Sequence, residues 1–208
     1  MPTRTLPRLE PSEANELYLA SLLARKSFPF YCEFVHNRPL ARHHLLWAEA
    51  LQSVDRRVLI VAPPETWKSS VVRMFLEWSI GLNQELCCLL AMNTATQSQK
   101  QVASIAATLG ENPRYRAVFP HVQPDPKRGW SHEVLFVRRK GVTRPDPTIS
   151  GYGIEGPFQG GHYEIVIVDD PTDQADVSSP AIMDDQRLRL RGVLYDRLVE
   201  GGKMLAIL

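Results

Sequence analysis

Short apolar runs alternate with amphipathic helical stretches along this chain, and no other feature of the sequence limits the fold as much. Residues 57–62, 86–92 and 164–168 are brief and mostly apolar, as strands buried in a parallel sheet are, and residues 203–208 form a final strand candidate. Between them, residues 69–82 set Val72, Phe75, Leu76 and Ile80 on one side of a helix. Residues 96–109 space Val102, Ile105, Ala106 and Leu109 along one face, and residues 179–198 also read as helical. Strands in alternation with helices imply an α/β fold with a mainly parallel β-sheet flanked by helices on both faces. Ligands of such sheets sit beyond the carboxyl ends of the strands.

The segments outside this alternation are less regular. Residues 12–27 start at a Ser cap and carry Leu17, Leu19, Leu22 and Leu23, which suits an amphipathic helix. The stretch FPFYCEFVHNRPL reads as a proline-interrupted aromatic connection, leading to a second helical run over residues 41–54. Residues 112–148 are rich in proline and charge and read as an insertion or a hairpin, with one strand at 133–139, while residues 151–161 hold five glycines. With 208 residues the expectation is one domain: an N-terminal helical segment, 1–56, packed on a core, 57–208. The last strand has no closing helix, which suits either a small protein or a truncated chain.

Composition excludes some classes of function. Lysine and arginine number 24 against 23 acidic residues, so the chain has no bulk positive field, and any nucleic-acid contact must come from local patches. The apolar runs are too short and too broken by charge to span a membrane, and the first residues lack the apolar core of a secretion signal. Cys32, Cys87 and Cys88 are odd in number, and two are adjacent in an apolar run, so they read as reduced core residues in a cytosolic setting.

After the strand at 57–62 the sequence runs APPETWKSS, and a helix follows. In the phosphate-binding pattern G-x-x-x-x-G-K-[ST], backbone N–H groups wrap the phosphates, the lysine reaches the β and γ groups, and the hydroxyl ligates magnesium. Lys68 and Ser69 fill the last two positions, while Ala62 and Trp67 stand where the glycines belong. The loop Pro63, Pro64, Glu65, Thr66, Trp67, Lys68, Ser69 and Ser70 is the candidate nucleotide cradle: it follows a strand and opens a helix whose N-terminus favours an anion. The bland alternative is a solvated lysine at a helix start. Glycine at position 67 would relieve crowding against phosphates, so the tryptophan side chain must turn away.

A phosphate loop needs a carboxylate at the end of a neighbouring strand to hold magnesium, and EIVIVDDP supplies one. Asp169 and Asp170 are consecutive at the strand end, so their side chains point apart, one suited to the metal and the other to a water. Aspartates before Pro171 also serve as plain turn formers. Together the loop and the aspartates mark a P-loop NTPase-like site for ATP and Mg2+.

In order and spacing, the motifs APPETWKSS, LLAMNTATQSQKQVASIAATL, YRAVFP, GYGIEGPFQGGHYEIVIVDDP and SSPAIMDDQRLRLRGVLYDRLVEGGKMLAIL resemble the ATPase domain of the large terminase subunits of tailed bacteriophages. The resemblance covers about residues 57–208. It implies a motor that hydrolyses ATP to translocate double-stranded DNA into a procapsid, as a homo-oligomeric ring on the portal protein with a small terminase subunit as partner, in the bacterial host cytoplasm. On this resemblance Lys68 binds the β and γ phosphates, Ser69 and Asp169 hold magnesium, and Asp170 takes the place of the catalytic carboxylate, which is usually glutamate. The family's nuclease domain is missing from these residues, so no DNA cutting is expected of this chain. Trp67 and Asp170 also suit a nucleotide-binding but catalytically weak assembly module, and the early motifs are shared with helicase-like ATPases.

Ring motors often need an arginine at the γ-phosphate, frequently from a neighbouring subunit. Arg138, Arg139, Arg144 and Arg197 are candidates, with Arg139 assigned to the catalytic set; Arg187, Arg189 and Arg191 suit surface contacts better than base reading. Tyr31, Phe34 and Arg38 are candidates for an adenine slot, against the simpler reading of the two aromatics as core. His43 and His44 face different sides of a helix and have no partner at a metal-ligand offset, which argues against zinc.

Overall fold

The computed structural model describes residues 11–141, 144–154, 156, 161–171, 184, 188 and 196–208. Three helices come first: α1 (Pro11–Lys26), α2 (Phe28–His36) and α3 (Arg42–Gln52). The alternating part follows as β1 (Arg57–Ile60), α4 (Lys68–Leu82), β2 (Cys88–Met92), α5 (Ala95–Glu111) and α6 (Pro113–Val118). It continues as β3 (Val134–Leu135), β4 (Ile149–Gly153), β5 (Tyr163–Asp169) and β6 (Leu198–Ile207). The strands form one sheet in the order β1-β6-β5-β2-β4-β3, parallel except where β3 runs against β4. This is the expected α/β fold with a mainly parallel sheet.

One sheet face carries the main core. Cys88, Leu90, Met92, Ile165 and Ile167 meet side chains from α1 to α6 there, among them Phe28, Val72, Leu76, Val102 and Tyr115. The N-terminal helices therefore share a core with the sheet helices. The opposite face, formed by Cys87, Leu89, Ala91, Val166 and Val168, is buried as well. The helix expected at 179–198 falls mostly outside the described residues. Cys32, Cys87 and Cys88 are free and buried, as expected.

Several local expectations change. Residues 28–36 are a helix instead of a connection: Ser27 caps it by accepting from the Phe30 N–H, and Pro29 falls in the first turn, where its missing N–H costs no helix bond. Helix α1 forms, but Leu19 and Leu23 are exposed, and the small residues Ser21 and Ala24 face inward. Arg25 reaches the Val118 carbonyl and Trp78 Nε1 donates to the Ala24 carbonyl, so the helix lies too close to the core for leucines in between. Strand β1 is an edge strand, with Leu59 61% and Val61 69% exposed, so its apolar run is not buried on both sides. Residues 113–118 form the short helix α6, capped by Asn112, inside what reads from sequence as an insertion.

Glycine content misleads at residues 149–153, which form the interior strand β4. A Cβ at Gly151 would stand 2.5 Å from Val102 Cγ2, and one at Gly153 would stand 2.7 Å from the Ala95 backbone nitrogen. These glycines let α5 lie directly on the sheet. Because the obstacle at Gly153 is main chain that cannot rotate aside, Gly153→Ala is expected to cost about 1–3 kcal/mol, read as a lower urea midpoint at unchanged slope.

Candidate phosphate-binding site

The loop between β1 and α4 leaves the carboxyl edge of the sheet and is held at several points. The Thr66 hydroxyl donates to the Pro63 carbonyl at 2.7 Å, and the Trp67 carbonyl accepts from the Val71 N–H as the helix begins. His44 ties the loop to α3. Its Nδ1 accepts from the Ala41 N–H at 3.1 Å, which leaves Nε2 protonated to donate to the Thr66 carbonyl at 2.8 Å. His44 is buried and His43 exposed, so the two do diverge.

Trp67 takes the glycine's conformation without being glycine. Its φ is 64°, in the left-handed region that costs an L-residue about 1–2 kcal/mol, and Glu65 lies there too at 65°. The indole turns aside: the Arg38 guanidinium lies 4.4 Å from its ring centre, and the His44 ring stacks on it at 10° between planes. The crowding expected from a large side chain is thereby avoided.

Four side chains then converge. Lys68 Nζ donates to the Ala62 carbonyl at 3.2 Å and lies 3.3 Å from Asp170 Oδ1. Ser69 Oγ donates to Asp169 Oδ1 at 3.0 Å. Asp169 closes β5, in register with Met92 and Ile207, and is 2% exposed; the Asp170 side chain is half exposed, with its backbone at φ 43°. The two carboxylates thus separate, one under the helix start and one beside the lysine.

Burial pushes the Asp169 carboxyl up to about 6; the Ser69 hydroxyl opposes this, the neighbouring Asp170 charge adds to it, and Lys68 lowers it. A folded value above the unfolded one means that the folded state binds more protons between about pH 4 and pH 6, so this group's contribution to stability falls as pH rises through that window. Asp169→Asn is therefore expected to raise the melting temperature of the ligand-free protein at pH 8 and to change it less at pH 5. Equal shifts at both pH values in thermal unfolding would refute this.

A hydroxyl and a buried carboxylate 3.0 Å apart are hard oxygen donors, and the carboxylate's charge is only partly offset by protein groups. That set fits Mg2+, which usually takes one or two carboxylates and fills its shell with phosphate and water. Among the described residues no cluster of three His, Cys, Asp or Glu could hold a metal without such added ligands. Beside the pair, a cavity of about 10 Å³ is lined in part by Ser69, Arg73, Gln101 and Asp169, roughly the space of one water.

The ATPase domain of the large terminase of Thermus phage P74-26, solved as a point variant, superposes on this structure with a TM-score of 0.53 over 85% of this chain and 67% of that one, at 17% identity. The two chains share a fold. No protein-family model and no curated protein matches the sequence. The terminase ATPase fold thus comes from the structure alone.

Within that fold the remaining candidates lie elsewhere. Arg139 donates to the Asp146 carbonyl at 2.9 Å, the Leu86 carbonyl at 3.3 Å and the Thr148 hydroxyl at 3.4 Å, at the amino ends of β2 and β4. The length of β2, about 17 Å, separates it from the carboxyl edge where Lys68 stands. It is not part of the site formed within this chain. Arg144 pairs with Glu164 at 2.5 Å at the same far end, Arg197 adjoins Tyr163 there, and Arg138 is exposed beside Gln123. Arg187, Arg189 and Arg191 lie outside the described residues. Tyr31 is core, 0% exposed, and Phe34 stacks on Phe30 beneath Arg114, so neither is free to hold a base. Arg38 does reach the loop. Sequence reasoning misses Arg73 and His36, which flank the loop through tertiary contacts; the spacing of Arg73 five residues beyond Lys68 on one helix is the only hint.

Proposed function

We propose that this chain is a Mg2+-dependent ATPase, the motor domain of a viral terminase large subunit that drives double-stranded DNA into a procapsid. The convergence of Lys68, Ser69, Asp169 and Asp170 at the carboxyl edge of a terminase-like ATPase fold carries this reading. Lys68 exchanges Asp170 for the β and γ phosphates, and Ser69 and Asp169 hold the metal. Mg2+ held by these two residues would supply charge neutralisation for the phosphates. Asp170 accepts a proton from the water that attacks the γ-phosphorus, and the bond from that phosphorus to the β–γ bridging oxygen breaks, releasing ADP and phosphate.

On the same reading, the γ-phosphate arginine is supplied by a neighbouring subunit of a homo-oligomeric ring. Arg139 serves in that role only if its carbonyl contacts break. The remaining partners follow from the same reading: portal protein and small terminase subunit, in the bacterial host cytoplasm. No described helix is long and apolar enough to cross a membrane. Residues 1–56 act as a helical buttress to the ATPase core of 57–208.

A second reading, a nucleotide-holding assembly module with slow turnover, gains support from Asp170, which is one methylene shorter than glutamate and engaged by Lys68. The deciding experiment is phosphate release from ATP with and without Mg2+, on the wild type and Lys68→Ala, with DNA and portal protein added in turn. Metal-dependent release lost in Lys68→Ala supports the motor. Metal-dependent binding without release in every mixture supports the module.

A further inference from the structure

Helix α1 carries apolar residues on two opposite sides. At about 100° per residue, Leu17, Ser21 and Ala24 share the side that meets the core, and Ser21 and Ala24 are buried there. On the far side Glu16, Leu19, Leu23 and Lys26 follow an i, i+3, i+7, i+10 spacing, the heptad spacing of a helix–helix seam. All four are exposed, Leu19 by 59% and Leu23 by 56%, and half-buried Leu22 borders them. A surface helix needs only one apolar side to hold it on a core. The second side has no such use within this fold.

The order of charges along the seam says what fits it. Outward from a midpoint at Ser21, Leu19 and Leu23 come first, at equal distances, and Glu16 and Lys26 come next, again at equal distances. A second copy of α1 laid antiparallel about a two-fold axis at that midpoint sets each Leu19 against the partner's Leu23. Each Glu16 then meets the partner's Lys26. One surface thus supplies both halves of every contact, which is the self-complementarity that an isologous dimer requires. Parallel pairing in register would set Glu16 on Glu16 and Lys26 on Lys26, so the charges also choose the direction. An anionic membrane surface fits less well, because Glu13 and Glu16 adjoin the leucines. From Glu16 to Lys26 the seam is about 15 Å long and one helix face wide, which buries less than the roughly 800 Å² per partner of a standard interface. The association is therefore weak and depends on concentration.

We propose that the outer face of α1 pairs two copies of this chain through an antiparallel α1–α1 contact, with Leu19 and Leu23 at its centre and Glu16 and Lys26 at its ends. An isologous contact closes on itself, so it is separate from the head-to-tail contacts of a ring and does not depend on the ATPase reading.

The test is sedimentation velocity of the whole chain from about 5 to about 500 µM at low salt. The wild type is expected to pass from monomer to dimer over that range. Leu23→Ser, a change at an exposed position, is expected to stay monomeric with unchanged circular dichroism. Glu16→Lys or Lys26→Glu alone sets like charges together at both ends of the seam and is expected to weaken the dimer about tenfold, since the two-fold axis doubles each change. Mixing the two charge variants restores association, because each reversed end meets its opposite in the other protein. A wild type that stays monomeric throughout, or a dimer indifferent to Leu23→Ser, overturns the proposal. So does a dimer that single reversals weaken and mixing fails to restore, since its partner surface is then not a second α1.

Discussion

Asp170→Asn is expected to keep Mg-ATP bound while turnover drops by about 10²- to 10⁴-fold, the contribution of a positioned general base. The amide is nearly the same size, so the left-handed backbone at φ 43° and the Asp170 N–H bond to the Ile207 carbonyl are kept. Asparagine also tolerates that backbone region well. What changes is charge: Lys68 loses the partner 3.3 Å away. Because that pair is half exposed its worth is small, and freeing the lysine raises nucleotide affinity by about threefold at most. Tighter binding with lost turnover separates a base from a phosphate ligand, since losing a ligand would weaken binding. Asp170→Glu is the complement. If reach limits hydrolysis, the extra methylene raises the rate; if Asp170 holds Lys68 only as a ground-state partner, the glutamate leaves the rate where it was. Single-turnover phosphate release and binding of a non-hydrolysable ATP analogue, measured on all three proteins, decide between these.

The features legible in sequence were those with a fixed local period or a fixed local order. The alternation of apolar runs with helical patterns implies the parallel sheet, and consecutive aspartates at a strand end imply side chains that point apart; one of the two is buried and the other half exposed. Helix α2 is hard to see in sequence because proline commonly breaks a helix, although the Ser27 cap places Pro29 in the first turn where it is harmless. Strand β4 stays hidden because Gly151 and Gly153 sit among five glycines in a stretch that carries no strand pattern; in the fold they are spacers between sheet and helix. In both segments a residue's average preference differs from the position's requirement. At the site, the motif residues are legible in sequence, whereas Arg73 and His36, which approach the loop through tertiary packing, are not. Arg139 shows the converse: a charged residue in a suitable segment turned out to tie the amino ends of β2 and β4 together. No local pattern distinguishes an arginine that bonds main-chain carbonyls from one that awaits a phosphate.

Glu77 carries the largest expected effect on stability. It is 0% exposed, and His36, Arg73 and the Tyr31 hydroxyl all lie within 4 Å of its carboxylate, while the Tyr115 hydroxyl donates to its main-chain carbonyl. Burial, reinforced by this carboxylate, pushes the Tyr31 hydroxyl well above its ordinary value, so the phenol remains a donor. Glu77→Ala removes the acceptor and leaves those donors facing a cavity, which costs about 3–5 kcal/mol, or roughly 10 °C in melting temperature for a chain of this size. A merely structural carboxylate is replaceable along with its partner. In the cycle of Glu77→Leu, His36→Leu and the double variant, the double is expected to lose less stability than the two singles summed, because neither member of the His36–Glu77 pair is left without the other.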